Sequence, residues 1–155
     1  MVGKMTARRF GARPPLARLL LLASRWFDEQ SRAELERRGW PKLSAAQTAV
    51  FAHLSDFPVP PAELARRLGN TRQATSDLVQ GLIRLGLLEM LDDPARRGGR
   101  LVCVTQRGVR LAQDGYVVLL KLEEQLADAE VVKQLHTLLA GLPAVATGPS
   151  KSQDP

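Results

Sequence analysis

Between residues 71 and 86 the chain carries two stripes at helical spacing. Leu78, Leu82 and Leu85 fall at i, i+4 and i+7 on one side, and Arg72, Gln73, Ser76 and Gln80 fall on the other. The first stripe predicts a buried helix face. The second is short-armed, able to hydrogen-bond and nearly free of Lys or Glu, which suits a surface lying against a polar partner. The DNA major groove is the leading candidate.

The same pattern predicts the elements around that helix. Pro14 and Pro15 suit a helical first turn. Leu16, Leu19, Leu20, Ala23, Trp26, Phe27 and Gln30, continued at Leu35, predict a long helix to about Arg38, stopped by Gly39. Its apolar face is wide, which suggests burial against more than one neighbour, a second subunit included, although a helix central to its own core has the same pattern. Ser44 and Gln47 read as a capping box for a helix from Ala45 to Leu54 that buries Val50, Phe51 and Leu54. Pro61 opens a third helix with Leu64, Ala65 and Leu68 inward and Gly69 at its end, and Asn70 or Thr71 caps the next. Leu87 to Leu91 and Leu101 to Val104 predict two strands around the turn sequence Asp92 to Arg100. Thr105 caps a helix to about Gln125, with Leu111, Val118, Leu119, Leu122 and Leu126 as apolar positions and Gly115 as its weak point. A last helix, about Asp128 to Ala140, is expected to bury Val131, Val132, Leu135, Leu138 and Leu139.

Two short helices joined by a Gly-containing turn and followed at once by a basic hairpin form a winged helix. The expected fold is therefore mainly α with a small β-hairpin: a winged helix-turn-helix with flanking N- and C-terminal dimerisation helices. Residues 1–13 read as a flexible basic arm, 14–142 as the winged-helix domain and 143–155 as a disordered tail. Within the domain, the dimerisation helices fall at about 14–38 and 105–142 and the DNA-binding lobe at about 44–104.

Composition narrows the function. A chain of 155 residues with 45% hydrophobic content supports one core. One cysteine excludes a disulfide framework within the chain, and two scattered histidines leave little for a metal centre, so no cofactor or metal is expected. No apolar run is long enough to span a membrane; a soluble, cytoplasmic protein with no membrane partner is expected. The net charge of +6 is unevenly placed: residues 1–15 carry +4, residues 61–110 carry +4 and residues 111–155 carry −3. A basic middle around a polar helix face points to a polyanion. The sequence holds no Cys/His pairing at catalytic spacing, no Gly-rich phosphate loop and no His-based metal motif, so an enzyme is not expected.

LSAAQTAVFAHL from Leu43, PAELARRLGNTRQATSDLVQGLIRLGLLE from Pro61, the Asp93-Pro94 hairpin with its Arg cluster and VTQRG from Val104 follow one another at fixed spacing. In that order they resemble the MarR family of bacterial winged-helix transcriptional regulators, over roughly Pro15 to Leu142. The resemblance implies a homodimer joined through its first and last helices. Each subunit inserts the 71–86 helix into half of a pseudo-palindromic operator on double-stranded DNA, most often to repress. By position it places Thr71, Arg72, Gln73, Thr75 and Ser76 at DNA. Arg72 suits guanine and Gln73 adenine, Thr71 and Ser76 suit phosphates, and the wing at 92–100 adds Arg96, Arg97 and Arg100.

Two departures from the family pattern stand out. The wing reads DPARRGGR, without the Asp that usually precedes the paired arginines and with an extra Gly, which puts its shape in question. Position 77, often basic in the family, is Asp77, for which an intramolecular pair with Arg66 or Arg84 is favoured. The resemblance also implies a small anionic aromatic effector between the dimer helices and the lobe, with Arg25, Trp26, Asp28 and His53 as candidate contacts. A core Trp and solvated charges account for the same residues. Cys103 reads as a small apolar strand residue rather than a sensor. Two alternatives remain: a winged-helix protein–protein interaction module that has lost operator binding, and a ligand- or oxidant-responsive switch centred on Cys103.

Overall fold

The computed structural model describes residues 13–54 and 58–142. In chain order these form α1 (Leu16–Arg37), α2 (Ala45–Ala52), α3 (Pro61–Leu68), α4 (Arg72–Arg84), β1 (Leu88–Asp92), β2 (Arg100–Val104), α5 (Gln106–Leu126) and α6 (Ala129–Ala140). The expected basic arm, apart from exposed Arg13, and the expected tail over 143–155 lie outside the described residues.

Helices α2, α3 and α4 close over the β-hairpin. Val50 of α2, Leu64 of α3, Leu82 of α4 and Leu87, Leu88 and Val102 at the base of the hairpin are all buried and form one cluster. The helix starts follow the expected chemistry. Ser44 and Gln47 form the reciprocal capping box of α2, and Thr71 accepts from the Ala74 amide at the start of α4. Gly69 ends α3 in the left-handed conformation, φ +65°, which lets the chain reverse between α3 and α4 at no Cβ cost. Helix α2 stops two residues short of the expected Leu54, though Leu54 is still buried.

Strands β1 and β2 pair antiparallel from Leu88↔Val104 to Asp92↔Arg100. Val59 adds a third, one-residue bridge: its amide donates to the Val102 carbonyl (3.1 Å) and its carbonyl accepts from the Val102 amide (2.8 Å). Flanking Pro58 and Pro60 hide this bridge from sequence reading, because proline cannot continue a ladder.

The hairpin and α5 are bolted together at Thr105. Its hydroxyl donates to the Gly86 carbonyl (2.7 Å) and accepts from the Gly108 amide (3.0 Å), while its own amide donates to Leu87 (3.1 Å). A side chain at Gly108 would drive into the Leu87 carbonyl, so the close seat of α5 on the lobe requires glycine there. Helix α1 lies along α5, with Leu35, Leu111, Val118 and Leu122 extending the buried cluster. Trp40, in the turn after α1, donates its indole N–H to Asp114 of α5 (2.7 Å).

Helix α6 departs from expectation, for it buries none of its residues. Val131, Leu135 and Leu138 are exposed, and Val132 and Leu139 only half-buried. The first half of α1 is equally open, with Leu16, Leu19, Leu20, Leu21 and Leu22 exposed and Trp26 38% exposed. Both have the right periodicity, but among the described residues nothing covers them.

Candidate nucleic-acid interface

Helix α4 is held by its inner face. Thr75, Val79 and Leu82 are buried there, with Leu78, Ile83 and Leu85 packed partly against the core. Val79 replaces Leu78 at the centre of that face; the leucine spacing alone put the stripe slightly out of phase. Gln47 of the α2 cap sits against Gly81, where an added Cβ would lie only 3.0 Å from its side-chain nitrogen. What remains outward is a strip of Arg72, Gln73, Ser76 and Gln80, all exposed. Their spacing of one, three and four residues keeps them on one side of the helix.

Thr75 is a correction. It is 1% exposed, and its hydroxyl donates to the Thr71 carbonyl at 3.0 Å, so it belongs to the core and not to the outward strip. A threonine one turn into a helix can satisfy its hydroxyl on the carbonyl four residues earlier, which makes burial there cheap. Thr71 is exposed, and its hydroxyl oxygen already serves as the cap of α4, leaving its hydrogen to be donated outward.

Asp77 is a second correction. Its partner is neither Arg66 nor Arg84 but Gln73, whose side-chain nitrogen donates to Asp77 Oδ1 at 3.0 Å. Arg66 is engaged elsewhere: its guanidinium reaches both oxygens of Glu63 (2.8 and 2.7 Å), and Arg67 adds a third bond at 2.9 Å. These bonds, Arg66 first, pull the Glu63 carboxyl down to about 2. The Gln–Asp pair was signalled by its i, i+4 spacing, a stabilising one on a helix surface.

The wing closes without an acid directly before its paired arginines. Asp93 takes over the turn: its carboxylate accepts from the Ala95 amide (2.9 Å), its carbonyl from Arg96 (3.2 Å), and its amide donates to Gly99 (2.9 Å). Gly98 adopts φ +73° and Gly99 packs against the Arg96 carbonyl, which accounts for the glycine pair. Arg96 and Arg97 are exposed at the tip, and no salt bridge involves them among the described residues. Arg100 lies at the start of β2, within 3.4 Å of both Asp92 and the Met90 carbonyl. With the Asp92 side chain 91% exposed, that pair is a weak tether.

The four candidate effector residues are spread over two elements. Arg25 and Trp26 are exposed on α1, the Asp28 carboxylate accepts from Arg32 (3.0 Å), and His53 caps α2, its carbonyl accepting from Arg67 (3.2 Å). A 530 Å³ cleft does lie between the lobe and α5. Its walls are Phe51, Leu54 and Val104 on one side and Val109, Tyr116 and Val117 on the other, and none of the four lines it. Cys103 is buried on β2, where burial and then the facing Glu89 raise its thiol above the ordinary range. Among the described residues, no group of three or more His, Cys, Asp or Glu is placed to hold a metal ion, and no helix is long and apolar enough to cross a membrane.

A MarR family model matches residues 42–98, which run from the entry of α2 to the tip of the wing. No curated protein matches the sequence. Among solved structures, RV1404 from Mycobacterium tuberculosis superposes with a TM-score of 0.66 at 25% identity, over 89% of this chain and 95% of that one. Apo MarR from E. coli gives 0.67 at 23% identity, over 84% and 99%. MepR, a transcription regulator of the Staphylococcus aureus multidrug efflux pump MepA, gives 0.62 at 18% identity, over 82% and 95%. The matched segment contains the lobe's helices and wing tip, and the shared fold extends through the flanking helices: residues 42–98 match the MarR family model, and the chain has the winged-helix fold of these solved structures.

Proposed function

We propose that this protein is a homodimeric, sequence-specific DNA-binding transcriptional regulator that represses by occupying a pseudo-palindromic operator. The observation that carries the reading is α4. One face is locked into the core by Thr75, Val79 and Leu82, and the other presents Arg72, Gln73 and Ser76 outward from a capped N-terminus. A helix fixed in this way can enter the major groove, Arg72 and Gln73 meeting base edges while Thr71 and Ser76 donate to phosphates. Arg96 and Arg97, at the tip of the wing, fall to the flanking backbone, with Arg100 behind them.

Dimerism is supported by the apolar side chains that α1 and α6 leave exposed among the described residues, which a second copy would bury. Two recognition helices on a two-fold axis then match half-sites about one turn apart. Repression follows the relatives: one solved structure of this fold, at 24% identity and a TM-score of 0.64, is named a multiple antibiotic resistance repressor. The response to a small aromatic effector is assigned to the cleft between lobe and α5, where Phe51 and Tyr116 offer aromatic faces. A ligand wedged there shifts the lobe spacing that a palindrome reads. Such a protein works in the cytoplasm, beside its DNA.

Selection from a random DNA library, followed by salt titration on the selected site, tests the reading. A two-fold symmetric consensus is expected. Arg72→Ala should weaken binding at one base pair by roughly 5-fold or more. Arg96→Ala should weaken binding to all sequences and flatten the log–log salt slope by about 2 per dimer, one phosphate per subunit. A protein that has become a protein–protein module instead binds no sequence selectively and responds to neither substitution.

A further inference from the structure

We infer that Asp77 is a specificity-positioning residue: through its hydrogen bond to Gln73 it presets that side chain to read adenine. The inference rests on the proposed DNA-reading role of α4 and assigns a task to the acid that an operator-binding helix would be expected to avoid.

The chemistry follows from which atoms are left over. A carboxylate only accepts, so the atom of Gln73 facing Asp77 Oδ1 at 3.0 Å is the amide nitrogen, and the carbonyl oxygen turns away from it. One of the two N–H bonds is used by Asp77. Among the described residues the other N–H and the Oε1 acceptor make no further bond, and both lie on the same planar amide. Adenine in the major groove offers N7 as acceptor and the N6 amine as donor, and a glutamine meets both at once with one N–H and its oxygen. Guanine presents two acceptors at the corresponding edge, which an amide held in this orientation cannot satisfy with its oxygen. The pair thus favours one base and disfavours the other.

Both residues are exposed on α4 and lie one helical turn apart. Without Asp77 the amide rotates about its last torsions and must be ordered when DNA binds. Immobilising such a side chain corresponds to roughly 2- to 10-fold in affinity for the matched base. Asp77 also carries a negative charge beside a phosphate backbone, which weakens binding to every sequence alike. Its two effects are therefore separable: charge acts uniformly, and the hydrogen bond acts at one base pair.

Equilibrium binding to two duplexes that differ only at the Gln73-contacted base pair, A·T against G·C, separates them for wild type, Gln73→Ala, Asp77→Ala and Asp77→Asn. Gln73→Ala identifies the pair by abolishing discrimination there. Asp77→Ala is expected to cut that discrimination roughly 2- to 10-fold, while both Asp77 variants bind DNA in general more tightly than wild type. Asp77→Asn keeps an oxygen acceptor for the Gln73 amide and should retain most of the discrimination. The inference is overturned if Asp77→Ala discriminates as wild type does, or if Asp77→Asn loses as much as Asp77→Ala. A wild-type protein with no base preference at any position fails the DNA-reading role first, and this inference with it.

Discussion

The lobe formed by α2, α3, α4 and the hairpin is closed, whereas the layer formed by α1, α5 and α6 is open. In the lobe, Val50, Leu64, Leu82 and Val102 are wholly enclosed by one another and by the hairpin base. In the layer, Leu16 is 65% and Leu138 69% exposed, and a groove lined largely by Phe27, Leu126, Val132, Leu135 and Leu139 is left open among the described residues. Among the described residues the part that presents α4 is thus packed on itself, and the part proposed to join two copies is not. The two regions should answer to different variables: the lobe to packing, and the layer to protein concentration.

The largest effect is expected in the lobe. Leu82→Ala removes a wholly buried side chain from the inner face of α4 and should cost about 2–5 kcal/mol in urea unfolding. Leu138→Ala, at an exposed position of α6, should change the stability of an isolated chain by no more than about 0.5 kcal/mol. Equal losses at the two positions would erase the contrast.

A charge on the open face is the next test. Leu20→Asp on α1 leaves the lobe core untouched and places a carboxylate where a second copy is proposed to pack. Light scattering should report a fall from twice the chain mass to once, with the far-ultraviolet spectrum retained. Operator affinity should drop by about 100-fold or more as bivalent binding is lost. An unchanged mass would mean that this face is not the subunit contact.

The bond between Trp40 and Asp114, which ties the turn after α1 to α5, should be worth less. Trp40→Phe keeps the apolar ring and removes the 2.7 Å indole bond, a loss of about 1 kcal/mol in chemical denaturation. Asp114→Ala in the Trp40→Phe background should add little if the bond is the whole coupling.

The closed region is also the one the sequence spells most fully. Ser44 and Gln47, Pro61, Gly69 and Thr71 are local signals whose effect is complete within four residues, and each marks a helix boundary where it was expected. The misreadings arise where a residue's role depends on a partner far away or on a single turn of phase. Val59 looks like a linker between prolines until Val102 is opposite it. Thr75 has the composition of a contact residue, but its position on the helix turns it inward beside Val79. Asp77 suggests an arginine partner because charge suggests charge, while Gln73 lies one turn away and holds it. The valines and leucines of α6 show the periodicity of burial, and periodicity reports a face without saying whose surface covers it.

The smallest expected effect compares two copies of one motif, one in each region. AELERR over 33–38 and AELARR over 62–67 each place a leucine inward, Leu35 and Leu64, and a glutamate between two arginines. Glu34 bonds Arg38 and pairs with Arg37, and its carboxyl is lowered chiefly by the Arg38 bond. Glu63 is gripped by both ends of Arg66 and by Arg67, and is lowered further, to about 2. A carboxyl held below its ordinary value of 4.5 stabilises the fold above that value, and the stabilisation is lost as pH falls through it towards about 2. Melting temperature followed from about pH 7 down to about pH 2.5 should therefore decline less steeply in Glu63→Gln than in wild type, the curves converging in acid. Both pairs are solvent-exposed, so near neutral pH each substitution should cost little. Glu34→Gln should flatten the acid limb less than Glu63→Gln, because its grip is weaker. The reverse order would mean that the open layer, and not the lobe, sets the acid sensitivity of the fold.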